Sequence, residues 1–206
     1  MDKASDVRAA DNAAPGVLFV GNSYTYFNDM PSIFASVCAE NGVEVRADCV
    51  AAGDYSFARF LDPEDEYAKI MEEKLSSGGF DFVVLQEYSH VPASDPEIFF
   101  AGAAALCDKI RKAGAKPVFY ETWARADGDE ILETYGWTHE EEQTLLRAAY
   151  EKAGAENGAI LVYAGERFSR AYRAGEPVFA EDRSHPTEAG SRLVAEEFYK
   201  VLFANE

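Results

Sequence analysis

The sequence predicts an α/β protein, a single three-layer α/β/α sandwich on a five-stranded parallel sheet of order 2-1-3-4-5. Three observations carry that reading. Short apolar runs such as Val17-Leu18-Phe19-Val20 and Phe82-Val83-Val84-Leu85 recur along the chain, as expected of strands buried on both faces. Longer segments with apolar residues at helical spacing alternate with them. The 206 residues allow one core large enough to fold without disulfides or metals, and no repeat, low-complexity stretch or linker divides them.

The first strand is Val17–Val20, ended by Gly21. Pro31 opens a helix with Ile33, Phe34, Val37 and Cys38 on one face, stopped by Asn41-Gly42. Val43–Val50 is the second strand, leading into Ala51-Ala52-Gly53. A helix follows over Pro63–Lys74, with Ser76-Ser77-Gly78-Gly79 at its end. Phe82–Leu85 is the third strand, after which Asp95-Pro96 starts a long helix carrying Phe99, Ala103, Leu106 and Ile110, closed by Gly114. Pro117–Tyr120 is the fourth strand. A polar loop then runs to Thr138, which with Glu141 makes a capping box for a helix reaching Ala153. Ile160–Tyr163 is the fifth strand, followed by a short helix over Arg167–Arg173 and a last helix from Thr187 with Leu193, Val194, Phe198, Val201 and Leu202 inward.

Thirty-seven acidic against 19 basic residues give a net charge of -18, which repels a phosphate backbone or an anionic lipid surface and argues against nucleic acid and membrane as partners. Cys38, Cys49 and Cys107 sit in core-like stretches without paired spacing, and the three histidines are scattered, so neither a disulfide framework nor a metal site is expected. His90 and His139 read as surface or loop histidines. The acidic run Asp62–Glu66 reads as carboxylates in a first helical turn rather than a calcium loop. Residues 1–15 read as a flexible tail ahead of a catalytic domain over 16–206. They lack the apolar stretch of a signal peptide, so the chain as given reads as cytoplasmic, although trimming of a leader would leave the same sequence.

In such sheets ligands bind beyond the carboxyl ends of the strands. Ser23 follows strand one, Gly53 strand two, Gln86 strand three, Trp123 strand four, and Asp182 and His185 follow strand five. All belong to one edge. A serine hydroxyl needs a base to act as nucleophile, and His185 supplies an imidazole. Asp182, three residues upstream, is placed to accept from Nδ1 of His185 and so fix its tautomer. An oxyanion requires preorganised donors, for which the backbone N–H groups of Ser23 and Gly53 and the amide of Gln86 are candidates. Asn22, Tyr26 and Trp123 are candidate substrate-binding residues.

With Gly21-Asn22-Ser23-Tyr24-Thr25, Val83–Gln86, Thr122-Trp123-Ala124 and Asp182-x-x-His185-Pro186, the chain resembles the SGNH/GDSL serine hydrolases, from Val17 nearly to its end. The resemblance implies a flavodoxin-like hydrolase fold and ester hydrolysis without metal or organic cofactor, with Ser23 as nucleophile, His185 as base and Asp182 as its orienter. Two departures stand out: Asn22 replaces the usual Asp, and Gln86-Glu87-Tyr88-Ser89 stands where Gly-x-Asn-Asp is usual, leaving Gln86 as the expected third donor. The expected partner is a small-molecule ester with a short acyl group such as acetyl, on an alcohol such as a carbohydrate. The competing readings are a flavodoxin-like binding protein and a degenerate hydrolase that binds without turnover.

Overall fold

Five parallel strands form one sheet of order β2-β1-β3-β4-β5 in the computed structural model, which describes residues 14–204. The elements run β1 (Gly16–Gly21), α1 (Ser23–Tyr26), a 3-10 turn (Phe27–Asp29), α2 (Met30–Glu40), β2 (Arg46–Ala51), α3 (Phe57–Phe60), α4 (Glu66–Ser77) and β3 (Phe82–Leu85). They continue α5 (Val91–Ser94), α6 (Pro96–Lys112), β4 (Lys116–Tyr120), α7 (Glu130–Tyr135), α8 (His139–Asn157), β5 (Ile160–Val162), α9 (Ala164–Arg173) and α10 (Glu188–Leu202). The tail expected over 1–15 lies outside the described residues except for Ala14 and Pro15, whose carbonyl accepts from Arg46 N–H at 2.8 Å.

Alternation along each strand divides the core between the two faces. Val17 and Phe19 of β1 pack with Phe34 and Val37 of α2, Phe168 of α9 and Phe198 of α10. Leu18 and Val20 face the other layer, with Met71 of α4, Phe99 and Leu106 of α6 and Tyr150 of α8. Phe19 meets Phe34 and Phe198 edge-on, each at 5.3 Å. These are the two helical layers of a sandwich.

Element starts differ from the sequence reading where capping decides them. The second strand begins at Arg46, not Val43, because Asn41 and Val43 fold back on the Cys38 carbonyl and Gly42 on that of Ala39 to close α2. Helix α4 begins after Asp65, whose carboxylate caps it through Tyr67 N–H (2.9 Å) and Ala68 N–H (3.2 Å). The acidic run therefore includes a helix cap, and Asp65 also pairs with Arg59 at 3.1 Å. Thr138 and Glu141 form the predicted capping box, but α8 continues past Gly154 to a left-handed Gly158. Helix α9 starts directly after β5, earlier than Arg167, and the polar loop after β4 holds α7, capped by Asp129. Among the described residues no helix is long and apolar enough to cross a membrane.

Candidate active site

The register brings three strand ends together: Gly21 lies opposite Ala51, and Val20 opposite Leu85. Asn22-Ser23, Ala52-Gly53 and Gln86-Glu87 therefore leave the sheet side by side. Gly21 cannot carry a side chain, since a Cβ there would lie 2.6 Å from Gln86 Oε1 and overlap the Thr25 hydroxyl. Asn22 is extended (φ -132°, ψ -151°) and caps α1 by accepting from Tyr24 N–H at 3.2 Å. Its Nδ2 donates to the Tyr55 carbonyl (2.9 Å) and the Glu87 carbonyl (3.3 Å), tying the loop of Ser23 to both neighbouring loops.

Ser23 Oγ lies 2.8 Å from His185 Nε2, and His185 Nδ1 lies 2.7 Å from Asp182 Oδ2. A carboxylate only accepts, so Nδ1 carries the proton and Nε2 presents its lone pair to the serine hydroxyl. The other carboxylate oxygen, Oδ1, accepts from the N–H groups of Ser184 (3.0 Å) and His185 (2.8 Å). Burial acts to raise the Asp182 carboxyl, but those N–H groups and the imidazole outweigh it, and its pKa is lowered. The imidazole stacks on Phe27 at 4.4 Å and meets Tyr24 edge-on at 5.7 Å.

The Asp182–His185 turn has a left-handed Arg183 (φ +62°) and is clasped from three sides. Trp123 Nε1 donates to the Ser184 carbonyl at 2.9 Å, Ala126 N–H to the Arg183 carbonyl at 2.9 Å, and Arg183 to the Gly128 carbonyl at 2.6 Å. Tyr24 and Ser184 share a hydroxyl hydrogen bond of 2.6 Å. Ala180 N–H bonds the His185 carbonyl at 2.8 Å, and Asn28 Nδ2 the Pro186 carbonyl at 2.9 Å.

Ser23, His185 and Asp182 are thus joined in one hydrogen-bonded line. The N–H groups of Ser23 and Gly53 make no hydrogen bond among the described residues, and Tyr26 is 40% exposed with its hydroxyl close to Gly53. Three other candidates take different places. Gln86 is fully buried and not exposed toward a ligand: its Oε1 accepts from Asn22 N–H (3.0 Å) and Thr25 Oγ1 (2.9 Å), and one N–H of its Nε2 goes to the Glu87 carbonyl. Asn22 is buried and spent on the loop ties described above. Trp123 is 1% exposed, stacked between Tyr24 (4.7 Å) and Phe168 (4.2 Å), and supports the turn of His185 instead of lining a pocket.

Several buried polar groups at this edge carried no signal in the sequence. Burial pushes the Glu87 carboxyl up to about 7 and the Glu121 carboxyl up to about 8. Arg125, also buried, pairs with Glu142 (3.1 Å) and Asp129 (3.4 Å). His139 is buried, not a surface residue, and bonds the Arg125 carbonyl (2.6 Å) and Ser169 Oγ (2.9 Å). His90 is half-buried against Tyr88 and Tyr135. Burial raises all three thiols, Cys38 and Cys49 to about 12 and Cys107 to about 11. Among the described residues no group of three His, Cys, Asp or Glu is placed to hold a metal ion. Five cavities of 250 to 530 Å³ are lined by residues other than Ser23, His185 and Gly53.

No family model and no curated protein matches the chain. Solved structures do. A DUF4886 family protein from Bacteroides uniformis superposes with a TM-score of 0.74 at 16% identity, over 93% of this chain and 84% of its own. An acetyl xylan esterase superposes with a TM-score of 0.66 at 15% identity, over 91% of this chain and 100% of its own. At those identities the likeness is one of fold. A protein from Slackia heliotrinireducens assigned to the SGNH hydrolases is 33% identical, with a TM-score of 0.81 over 92% of this chain and 100% of its own. With that identity across nearly the whole sheet and both helical layers, the chain belongs to the SGNH hydrolases.

Proposed function

We propose that the protein is a serine esterase acting on small acyl esters, acetyl esters foremost, of polar alcohols such as carbohydrates. One observation carries the reading: the continuous Ser23–His185–Asp182 line, with Oγ to Nε2 at 2.8 Å and Nδ1 to Oδ2 at 2.7 Å. Ser23 attacks the ester carbonyl as His185 takes its proton, and Asp182 stabilises the imidazolium that forms. Negative charge on the tetrahedral intermediate meets the Ser23 and Gly53 N–H groups. His185 then protonates the leaving alcohol, and water activated by the same imidazole releases the acid from the acyl-enzyme.

Support for a short acyl group comes from the surroundings. Five cavities of 250 to 530 Å³ among the described residues are lined without Ser23 and offer it no apolar tunnel for a long chain. The resemblance in fold to an acetyl xylan esterase agrees with an acylated carbohydrate. The test is a series of aryl esters of graded chain length with Ser23→Ala as control. Turnover is expected to be highest for acetate, to fall by roughly 10⁴-fold or more in Ser23→Ala, and to be blocked by a fluorophosphonate that labels Ser23. Undiminished turnover in Ser23→Ala refutes the mechanism. A preference for long acyl chains refutes the substrate assignment.

A further inference from the structure

Glu87 is a buried carboxylate that the proposed reaction does not use. It stands at the carboxyl end of β3, is 1% exposed, and has no cationic partner among the described residues. A buried carboxylate without a cation is costly unless hydrogen bonds replace the lost water. Here the donors are backbone N–H groups. Phe57 N–H lies 3.1 Å from Oε1 and 3.2 Å from Oε2, and Tyr88 N–H lies 2.6 Å from Oε1. Desolvation still dominates and raises the carboxyl to about 7, consistent with a group whose acceptors are needed more than its charge.

Phe57 begins α3 and closes the loop that carries Gly53. That loop is fixed at two points. Asn22 Nδ2 holds the Tyr55 carbonyl at 2.9 Å, and the Glu87 carboxylate holds Phe57 N–H. The Glu87 carbonyl accepts from the same Asn22 amide at 3.3 Å, so a single residue ties the loops of Ser23 and Gly53 together through both its backbone and its side chain. Two residues before the first of these points, Gly53 N–H has no partner of its own among the described residues. Gln86 is fully buried, with its oxygen on Asn22 and Thr25 and one N–H on the Glu87 carbonyl, which makes the loop of Gly53 the exposed neighbour that can add a donor to Ser23 N–H.

We infer that Glu87 is the positioning residue for the oxyanion site: its carboxylate, acting as a strut on Phe57 N–H, holds the Gly53 N–H where the substrate carbonyl oxygen becomes negative. The inference rests on the Ser23 esterase reading and adds a part to it. A strut of this kind acts on the transition state and leaves substrate binding nearly alone, because the donor meets charge that develops only on attack.

The test compares Glu87→Leu, Glu87→Gln and Gly53→Pro on an aryl acetate. Leucine removes both acceptors at similar volume. Glutamine keeps one oxygen that can accept from Phe57 and Tyr88. Gly53 occupies the second position of the Ala52–Tyr55 turn without a positive φ, a place proline tolerates, so Gly53→Pro removes the donor itself. Glu87→Leu is expected to lower kcat by roughly 10²-fold with KM changed only a few-fold. It is also expected to weaken a trifluoromethyl ketone, which forms a tetrahedral oxyanion on Ser23, by the same factor. Glu87→Gln retains most activity, and Glu87→Leu adds nothing in the Gly53→Pro background. Full activity in Glu87→Leu, equal loss in the Leu and Gln variants, or an undiminished Glu87→Leu effect on top of Gly53→Pro overturns the inference. Amide exchange of the unmutated protein supplies a check that needs no variant: Phe57 N–H is expected to be protected and Gly53 N–H fast, and comparable rates overturn the strut. Loss of turnover in Ser23→Ala alongside a silent Glu87→Leu would leave the esterase reading standing and remove only this one.

Discussion

Replacing Asp182 by asparagine is expected to damage the enzyme more than replacing it by alanine, and the hydrogen bonds around the carboxylate say why. Oδ1 accepts from the N–H groups of Ser184 and His185 at 3.0 and 2.8 Å, while Oδ2 faces His185 Nδ1 at 2.7 Å. An asparagine must keep its oxygen on the two N–H donors, because turning it over sets its NH₂ against both, at about 1 kcal/mol or more for each lost bond. Its NH₂ then faces Nδ1 and forces the proton onto Nε2, where the imidazole can no longer accept from Ser23. A triad locked in the wrong tautomer loses roughly 10⁴-fold in kcat. Alanine leaves the tautomer free. The Asp182 side chain is 49% exposed, so water reaches the vacated position, and the ring keeps its stack on Phe27. The two N–H groups that Oδ1 held then turn to water at this exposed site, and the loss in kcat is set by the charge-assisted bond to Nδ1, about 1.5–3 kcal/mol, or roughly 10- to 150-fold. Steady-state kcat on an aryl acetate, corrected for active sites by burst titration, measures both. Asp182→Asn as active as Asp182→Ala, or more so, would refute the tautomer argument.

Two further predictions concern stability. The folded pKa of Glu121, about 8, lies above its ordinary value of 4.5, so the folded state holds the proton more tightly. That contribution is fully present below pH 4.5 and is lost as pH rises through about 8, at about 1.4 kcal/mol per unit. Glu121→Gln, which mimics the protonated form, is expected to match the unmutated protein at pH 5 in urea denaturation and to exceed it by a few kcal/mol at pH 8.5, whereas parallel curves would show that Glu121 does not titrate this way. Trp123→Phe keeps an aromatic ring between Tyr24 and Phe168 but strips the Ser184 carbonyl of its donor. It is expected to lower Tm by several degrees, for a loss of about 1–3 kcal/mol, and to reduce kcat with little change in KM. A raised KM at unchanged Tm would mean that Trp123 lines the substrate site after all.

Much of this architecture could be read before folding, because it depends on local pattern. Val17–Val20 and Phe82–Leu85 announce buried strands by unbroken hydrophobicity, and the edge rule then places Ser23, Gly53 and His185 together. Burial of a polar side chain was not legible. Gln86, Asn22 and Trp123 have the chemistry of donors and pocket walls, yet each is turned inward, since the same groups that suit a ligand also satisfy the backbone of neighbouring loops. Glu87 gave no signal for the complementary reason: a carboxylate after an apolar strand reads as a solvent-facing residue, and its burial draws on the distant Phe57 N–H as well as the adjacent Tyr88 N–H. The start of β2 at Arg46 and the presence of α7 depended on caps whose partners appear only once the loops are in place.

The clasp on the Asp182–His185 turn also sets the order in which competence can arise. Ser23 leaves the first strand, but the base it needs hangs on donors from Trp123, Ala126 and Arg183, on a hydroxyl from Tyr24 and on the seat of α10 against α2. A growing chain with its sheet half formed therefore carries an ordinary, unreactive serine. On the proposed mechanism Ser23 gains its base only when the last helix docks, so the appearance of turnover during refolding would time the closure of the whole molecule.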